Sequence, residues 1–123
     1  MLFVCYPKCS TCQKAREFLD ARGAEYDFRD IKPNNPSESE LREWQAKSGL
    51  PLKRFFNTSG LQYKALGLSA RLADMSEDEQ FALLATDGML VKRPILVSPA
   101  FVLVGFRQPE WEAALPAKKK EVD

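Results

Sequence analysis

The sequence contains no histidine. A Cys–His nucleophilic pair is thereby excluded, and so are the common His-containing zinc sites. A reactive thiol in this chain has to be activated by a helix N-terminus or by Lys and Arg. Cysteine is scarce as well, with only Cys5, Cys9 and Cys12, which is no disulfide framework of a secreted protein. No apolar run is long enough to span a bilayer. Met1–Cys5 is too short for a signal h-region and soon meets Pro7 and Lys8, so a cytoplasmic chain is expected. Charge of one sign is also lacking: the formal net charge is +1, which leaves no electrostatic footprint for nucleic acid or membrane. The one basic run, Lys118–Lys120 behind Pro116, reads as a solvated tail.

What remains is an ordinary globular balance. The 123 residues are 45% apolar and 28% charged, which suits one domain able to bury a core without staples or a structural metal. Leu2–Tyr6 reads as a buried strand ahead of Pro7. Cys12, Ala15, Phe18, Leu19 and Arg22 recur at helical spacing, predicting a helix from about Ser10 to Arg22 with Gly23 at its C-terminal cap. Ala24–Ile31 alternates and predicts a half-buried strand. Strand, helix, strand makes a parallel crossover the default.

A helical block follows. Ser37 with Glu40, and Ser76 with Glu79, form two capping boxes. Leu41 and Trp44 begin an apolar stripe that ends at Gly49. Residues 50–68 read as short helices broken at Asn57–Gly60, and Asp87-Gly88 stops the helix that follows Ser76. Ile95–Val97 and Phe101–Val104, joined by Ser98-Pro99-Ala100, predict a hairpin. Pro109 suits the first turn of a last helix carrying Trp111, Ala114 and Leu115. The expected fold class is α/β: a thioredoxin-like fold with a four-stranded mixed sheet. Residues 1–116 form a single domain with a helical insertion at about 37–90, and 117–123 are a charged tail.

The chemistry centres on Cys9-Ser10-Thr11-Cys12, at the joint of the first strand and helix. A cysteine just outside a helix meets free N–H groups and the positive end of the dipole, which favour its thiolate. A second cysteine one turn on can attack a mixed disulfide on the first. Cys9 is therefore the expected nucleophile and Cys12 the resolving thiol. The competing reading, half of a zinc site, lacks further ligands, because Cys5 lies within the apolar strand and reads as an inert core thiol. In Lys92-Arg93-Pro94, a thioredoxin-like fold places a cis proline beside the active cysteine, which would aim Arg93 at the site. There its fork could grip an oxyanion or steady a thiolate. Lys8, Ser10, Thr11, Arg93, Pro94 and Arg107 are the candidate substrate-binding residues. No resident cofactor or metal is expected.

Taken together, Cys-Tyr-Pro-Lys-Cys-Ser-Thr-Cys-Gln-Lys-Ala, Phe-Phe-Asn-Thr-Ser-Gly, Asp-Gly-Met-Leu-Val-Lys-Arg-Pro-Ile and Val-Gly-Phe resemble the arsenate reductase (ArsC)-like, Spx/MgsR family. The resemblance covers residue 2 to about residue 115 and implies a thioredoxin-like sheet with a helical insertion. Its enzymes reduce arsenate with a cysteine matched by Cys9 and with arginines matched by Arg93 and Arg107. They place a third arginine near Asn57-Thr58-Ser59, where this sequence has none, and often a serine where Cys12 stands. The resemblance implies a thiol oxidoreductase acting on an oxyanion such as arsenate, or on a disulfide, with glutathione or glutaredoxin/thioredoxin as electron donor. It equally implies an alternative: a redox-sensing regulator that binds the RNA polymerase α-subunit through a Cys9–Cys12 switch, with Gly49 near the contact.

Overall fold

The structure, a computed structural model, describes residues 1–115; the Lys118–Lys120 run lies outside the described residues. Strand β1 (Leu2–Cys5) pairs in parallel with β2 (Asp27–Asp30) and antiparallel with β3 (Ile95–Val97). In turn β3 pairs antiparallel with β4 (Val102–Val104). The order β2-β1-β3-β4 is the four-stranded mixed sheet of a thioredoxin-like fold.

Strand alternation sorts the core into two layers. Phe3, Cys5 and Leu96 point to one face, where they bury Cys12, Ala15 and Leu19 of α1 (Ser10–Ala21) and Trp111 of a last helix, Gln108–Ala114. The rings of Phe3, Phe18 and Phe106 meet Trp111 edge to face, with centroids 6.4, 6.3 and 5.0 Å away. That geometry suits the ring quadrupoles. The Trp111 indole Nε1–H donates to the Gly105 carbonyl at 2.9 Å, so the buried ring leaves no donor unpaired.

Val4, Ile95, Val102 and Val104 point the other way, into the helical block. The block comprises α2 (Glu38–Ser48), a 3-10 turn at Leu52–Phe55, α3 (Leu61–Ala65), α4 (Leu68–Arg71), a 3-10 turn at Leu72–Asp74, α5 (Glu77–Leu84) and a 3-10 turn at Gly88–Leu90. The last helix is therefore α6. Both expected capping boxes are present: Ser37 and Ser76 each accept from the backbone N–H three residues on, and Glu40 and Glu79 each accept from the cap's own N–H.

Two local expectations need correcting. Strand β2 is half the expected length, and Phe28 is 38% exposed. It lies on the sheet edge, where the Arg16 guanidinium covers its ring at 5.0 Å and the Phe3 ring meets it at 6.5 Å. Helix α5 ends at Leu84, before Asp87-Gly88. Asp87 instead caps the next 3-10 turn, its carboxylate accepting from Met89 N–H at 2.8 Å. Gly88 is required there for space, because a Cβ would collide with the Ile31 carbonyl oxygen.

An antiparallel bridge between Phe56 and Val91 ties the helical block to the approach of β3 through two backbone hydrogen bonds: Asn57 N–H donates to Leu90 O (2.8 Å), and Lys92 N–H donates to Phe55 O (2.8 Å). This seam sets Arg54 beside Lys92 and Arg93 at the mouth of the first helix.

Candidate active site

Cys9 is the N-cap residue of α1, in extended conformation (φ −90°, ψ 124°) and half-buried. No side chain caps this helix and no acidic residue occupies its first turn. The positive end of the dipole is therefore uncompensated at the Cys9 sulfur. The Cys9 N–H donates to Tyr6 O at 2.9 Å, fixing the turn through Pro7 and Lys8.

Cys12 lies one turn further in and is only 1% exposed. Its Sγ accepts the Tyr6 N–H at 3.3 Å, and it shares a buried cluster with Cys5, against which Cys9 packs. All three cysteines are free. Its hydrogen bond to Cys5, followed by burial, pushes the Cys12 thiol far up. The same hydrogen bond, with the nearby Arg16 charge, lowers Cys5 against its own burial. The buried pair thus holds its proton on Cys12, and Cys5 is its more acidic member. By sequence Cys5 reads as an inert core thiol; it is buried, at 2% exposure, and it shares its cluster with the resolving cysteine. The strand period carried that signal: Cys5 shares the face of Phe3, under the apolar stripe of α1 on which Cys12 lies.

Cys9 and Thr11 line a cavity of about 680 Å3 together with Arg54, Asn57, Leu61, Lys92, Arg93, Gly105 and Arg107, among others. Four of these side chains are cationic, and among the described residues no carboxylate lines the cavity. The Arg93–Pro94 peptide is cis, as the fold led us to expect. Pro94 is buried, its carbonyl accepts the Gly105 N–H at 2.8 Å, and Arg93 lines the cavity. The Arg93 guanidinium lies over the Tyr6 ring at 5.3 Å, and its Nε and Nη1 are buried without a hydrogen-bond partner among the described residues. Buried donors of this kind are rare in proteins, and an unpaired guanidinium in a cavity wall fits an anion.

Arg107 reaches the same cavity from the loop before α6 and also pairs with Glu110 at 3.7 Å. Lys8 and Ser10 are exposed at the helix start but are not cavity-lining side chains. Arg54 is the residue sequence reasoning missed. The resemblance put a third arginine near residues 57–59, but the turn Leu52–Phe55 delivers Arg54 to the cavity from just upstream. The Phe56–Val91 bridge decides this, and a local sequence pattern does not contain it. Among the described residues no cluster of three Cys, Asp or Glu side chains could hold a metal ion.

A mixed sheet with a Cys-x-x-Cys at the start of its first helix and a cis proline facing it defines a thioredoxin-like fold with two thiols at its site. A sequence model of the ArsC family matches residues 5–114, and the chain belongs to that family. It is 48% identical to the uncharacterized protein YusI of Bacillus subtilis over 91% of this chain and 95% of that one. The regulatory protein MgsR of Bacillus subtilis is 26% identical over 89% of this chain and 86% of its own length. Among solved structures, an ArsC family related protein from Bacteroides fragilis superposes with a TM-score of 0.89 at 56% identity, covering 91% of this chain and 94% of that one. A protein described as a possible arsenate reductase from Streptococcus mutans gives 0.82 at 48% identity, covering 90% and 96%.

Proposed function

We propose that this chain is a thiol-disulfide reductase whose substrate is a disulfide carrying carboxylates, of which a glutathione disulfide is the type. The observation that carries the reading is the cavity. It sets a half-exposed cysteine at a helix N-terminus among Arg54, Lys92, Arg93 and Arg107, with no acidic side chain in its described lining. Its volume of about 680 Å3 falls in the range of ~300–1,000 Å3 usual for ligands of peptide-fragment size. A tetrahedral oxyanion, the size of a few water molecules, would leave most of it wet. Arsenate remains a substrate the same cations can hold, but a larger anion uses more of them.

The steps follow from the geometry. Cys9 thiolate attacks one sulfur of the substrate disulfide; one half stays on Cys9 as a mixed disulfide and the other leaves as a thiolate. Arg93, Arg54, Lys92 and Arg107 hold the carboxylates and favour the departing anion. Cys12 then attacks the Cys9 sulfur, losing its proton, and the second substrate thiolate leaves. Two electrons pass from the protein to the substrate, and a Cys9–Cys12 disulfide remains for a thioredoxin to reduce, because glutathione, the product here, would only regenerate the substrate. A redox-gated regulator bound to the RNA polymerase α-subunit is the competing reading. The likeness to MgsR supports it, but a surface switch has no need of a cation-lined cavity at Cys9.

The test compares reduction of glutathione disulfide, the uncharged hydroxyethyl disulfide and arsenate by the purified protein, with thioredoxin, thioredoxin reductase and NADPH supplied and the rate without the protein subtracted. Faster turnover of the anionic disulfide, abolished in Cys9→Ser, is expected. Equal rates on charged and uncharged disulfides would remove the role of the cations, and no reduction of any of the three would remove the enzyme.

A further inference from the structure

We infer that Cys5 is a third working thiol: it attacks Cys12 in the Cys9–Cys12 disulfide, passing the disulfide inward to Cys5–Cys12 and freeing Cys9. The inference rests on the reductase reading above, which supplies the Cys9–Cys12 disulfide. The placement of Cys5 argues for it. Cys5 ends β1 on the face turned to α1, and Cys12 is on the buried stripe of that helix. Tyr6, next to Cys5 in the chain, donates its N–H to Cys12 Sγ at 3.3 Å, and Cys9 packs against the buried cluster that holds both Cys5 and Cys12. That is the arrangement of a relay, in which the middle sulfur exchanges partners.

The exchange is redox-neutral. Cys5 gives up its proton, the Cys5–Cys12 bond forms, the Cys9–Cys12 bond breaks, its electron pair leaves on Cys9, and the proton passes to Cys9 or to solvent. No further oxidant is needed. The direction is set by where the anion ends up. A Cys5 thiolate is enclosed by apolar side chains, at 2% exposure, whereas a Cys9 thiolate meets the open end of α1 and the cation-lined cavity. Moving negative charge from the first environment to the second is favourable. The three sulfurs still hold a single disulfide, now behind the site. Cys9 is restored as a free nucleophile before the outside reductant arrives, and the disulfide lies where that reductant reaches it slowly.

Trypsin makes the test direct, because cleavage after Lys8 and Lys14 puts Cys5 in one peptide and Cys9 with Cys12 in the next. The full-length protein is treated with one equivalent of glutathione disulfide, quenched in acid at timed intervals, denatured with iodoacetamide and digested. The expected result is an early disulfide within the 9–14 peptide that gives way to a link between 1–8 and 9–14, with Cys9 carrying the alkyl group. In Cys5→Ala the early disulfide persists, and the alkylated fraction of Cys9 falls from nearly all to nearly none. Circular dichroism and the Cys5→Ser variant check that the fold is intact. A disulfide that stays within 9–14 in the unsubstituted protein, with Cys5 alkylated at every time point, overturns the relay while leaving the reductase standing. No oxidation of any of the three sulfurs overturns both.

Discussion

The backbone N–H of Tyr6 donates to the sulfur of Cys12 at 3.3 Å, so the residue that follows β1 is fastened to the second thiol of the helix that β1 leads into. The Tyr6 carbonyl accepts from Cys9 N–H at 2.9 Å, and the Tyr6 ring lies under the Arg93 guanidinium. One residue thus registers both thiols of the motif and the unpaired arginine opposite them. The four-stranded sheet matters to the site chiefly because it holds β1 and the entry to β3 side by side.

Thiol exposure predicts selective alkylation. Cys9 is half-buried at a cavity wall, while Cys5 and Cys12 are at 2% and 1% exposure. Reduced native protein should therefore take up iodoacetamide on Cys9, and on Cys5 and Cys12 only after unfolding. Intact-mass and peptide mapping check this; fast labelling of native Cys5 would contradict the placement of β1.

Arg93→Ala should weaken anionic disulfides far more than neutral ones. A hydrogen bond to a charged group contributes about 1.5–3 kcal/mol, or roughly 10- to 100-fold in KM. Arg54→Ala should act in the same sense but less strongly, since Arg54 lines the same cavity without buried unpaired donors. Steady-state kinetics on glutathione disulfide and hydroxyethyl disulfide separate the two. A parallel loss on both substrates would indicate damage to the fold.

Acid stability should depend on Glu40. Arg29 binds it through two hydrogen bonds, at 2.7 and 2.9 Å, and Glu40 also accepts the Ser37 N–H at 3.0 Å. These contacts hold its carboxyl below the usual range, with the Arg29 hydrogen bond the largest cause. A depressed carboxylate contributes stability that is present above its unfolded value, about 4.3, and is lost as pH falls through the lower folded value. Urea midpoints measured from pH 7 to pH 3 should fall in the unsubstituted protein. In Glu40→Gln they should start lower and fall less steeply over the acid end.

Gly88→Ala should destabilise the protein by about 1–3 kcal/mol, as expected for forcing a methyl group into occupied space. The obstruction is the Ile31 carbonyl, a backbone atom that cannot rotate aside. Gly23→Ala, where the glycine has a positive φ of 67° but open space around it, should cost about 1 kcal/mol through backbone strain alone. Thermal denaturation of the two variants ranks them.

Local chemistry alone wrote much of the fold. The capping boxes at Ser37 and Ser76, the stripe of α1, the Ser98-Pro99-Ala100 hairpin and Pro109 at the start of α6 each depend on residues within one or two turns of one another. They were legible before any coordinates. The same holds for Cys9 at the start of α1, because the strand, the turn and the stripe that position it are contiguous in the chain. The length of β2 was not legible, since an edge position is a property of the sheet and not of the strand.

The amino-acid sequence by itself determined the order of elements, the absence of histidine chemistry and the thiol pair at the first helix. Only the tertiary structure decided what surrounds that pair. Arg54 reaches the cavity through a backbone bridge between Phe56 and Val91, 35 residues apart in number. Cys5 reaches Cys12 because a strand face packs on a helix face. Both outcomes depend on distant segments whose mutual placement is fixed by the burial of their apolar sides, and no window of neighbouring residues contains that information.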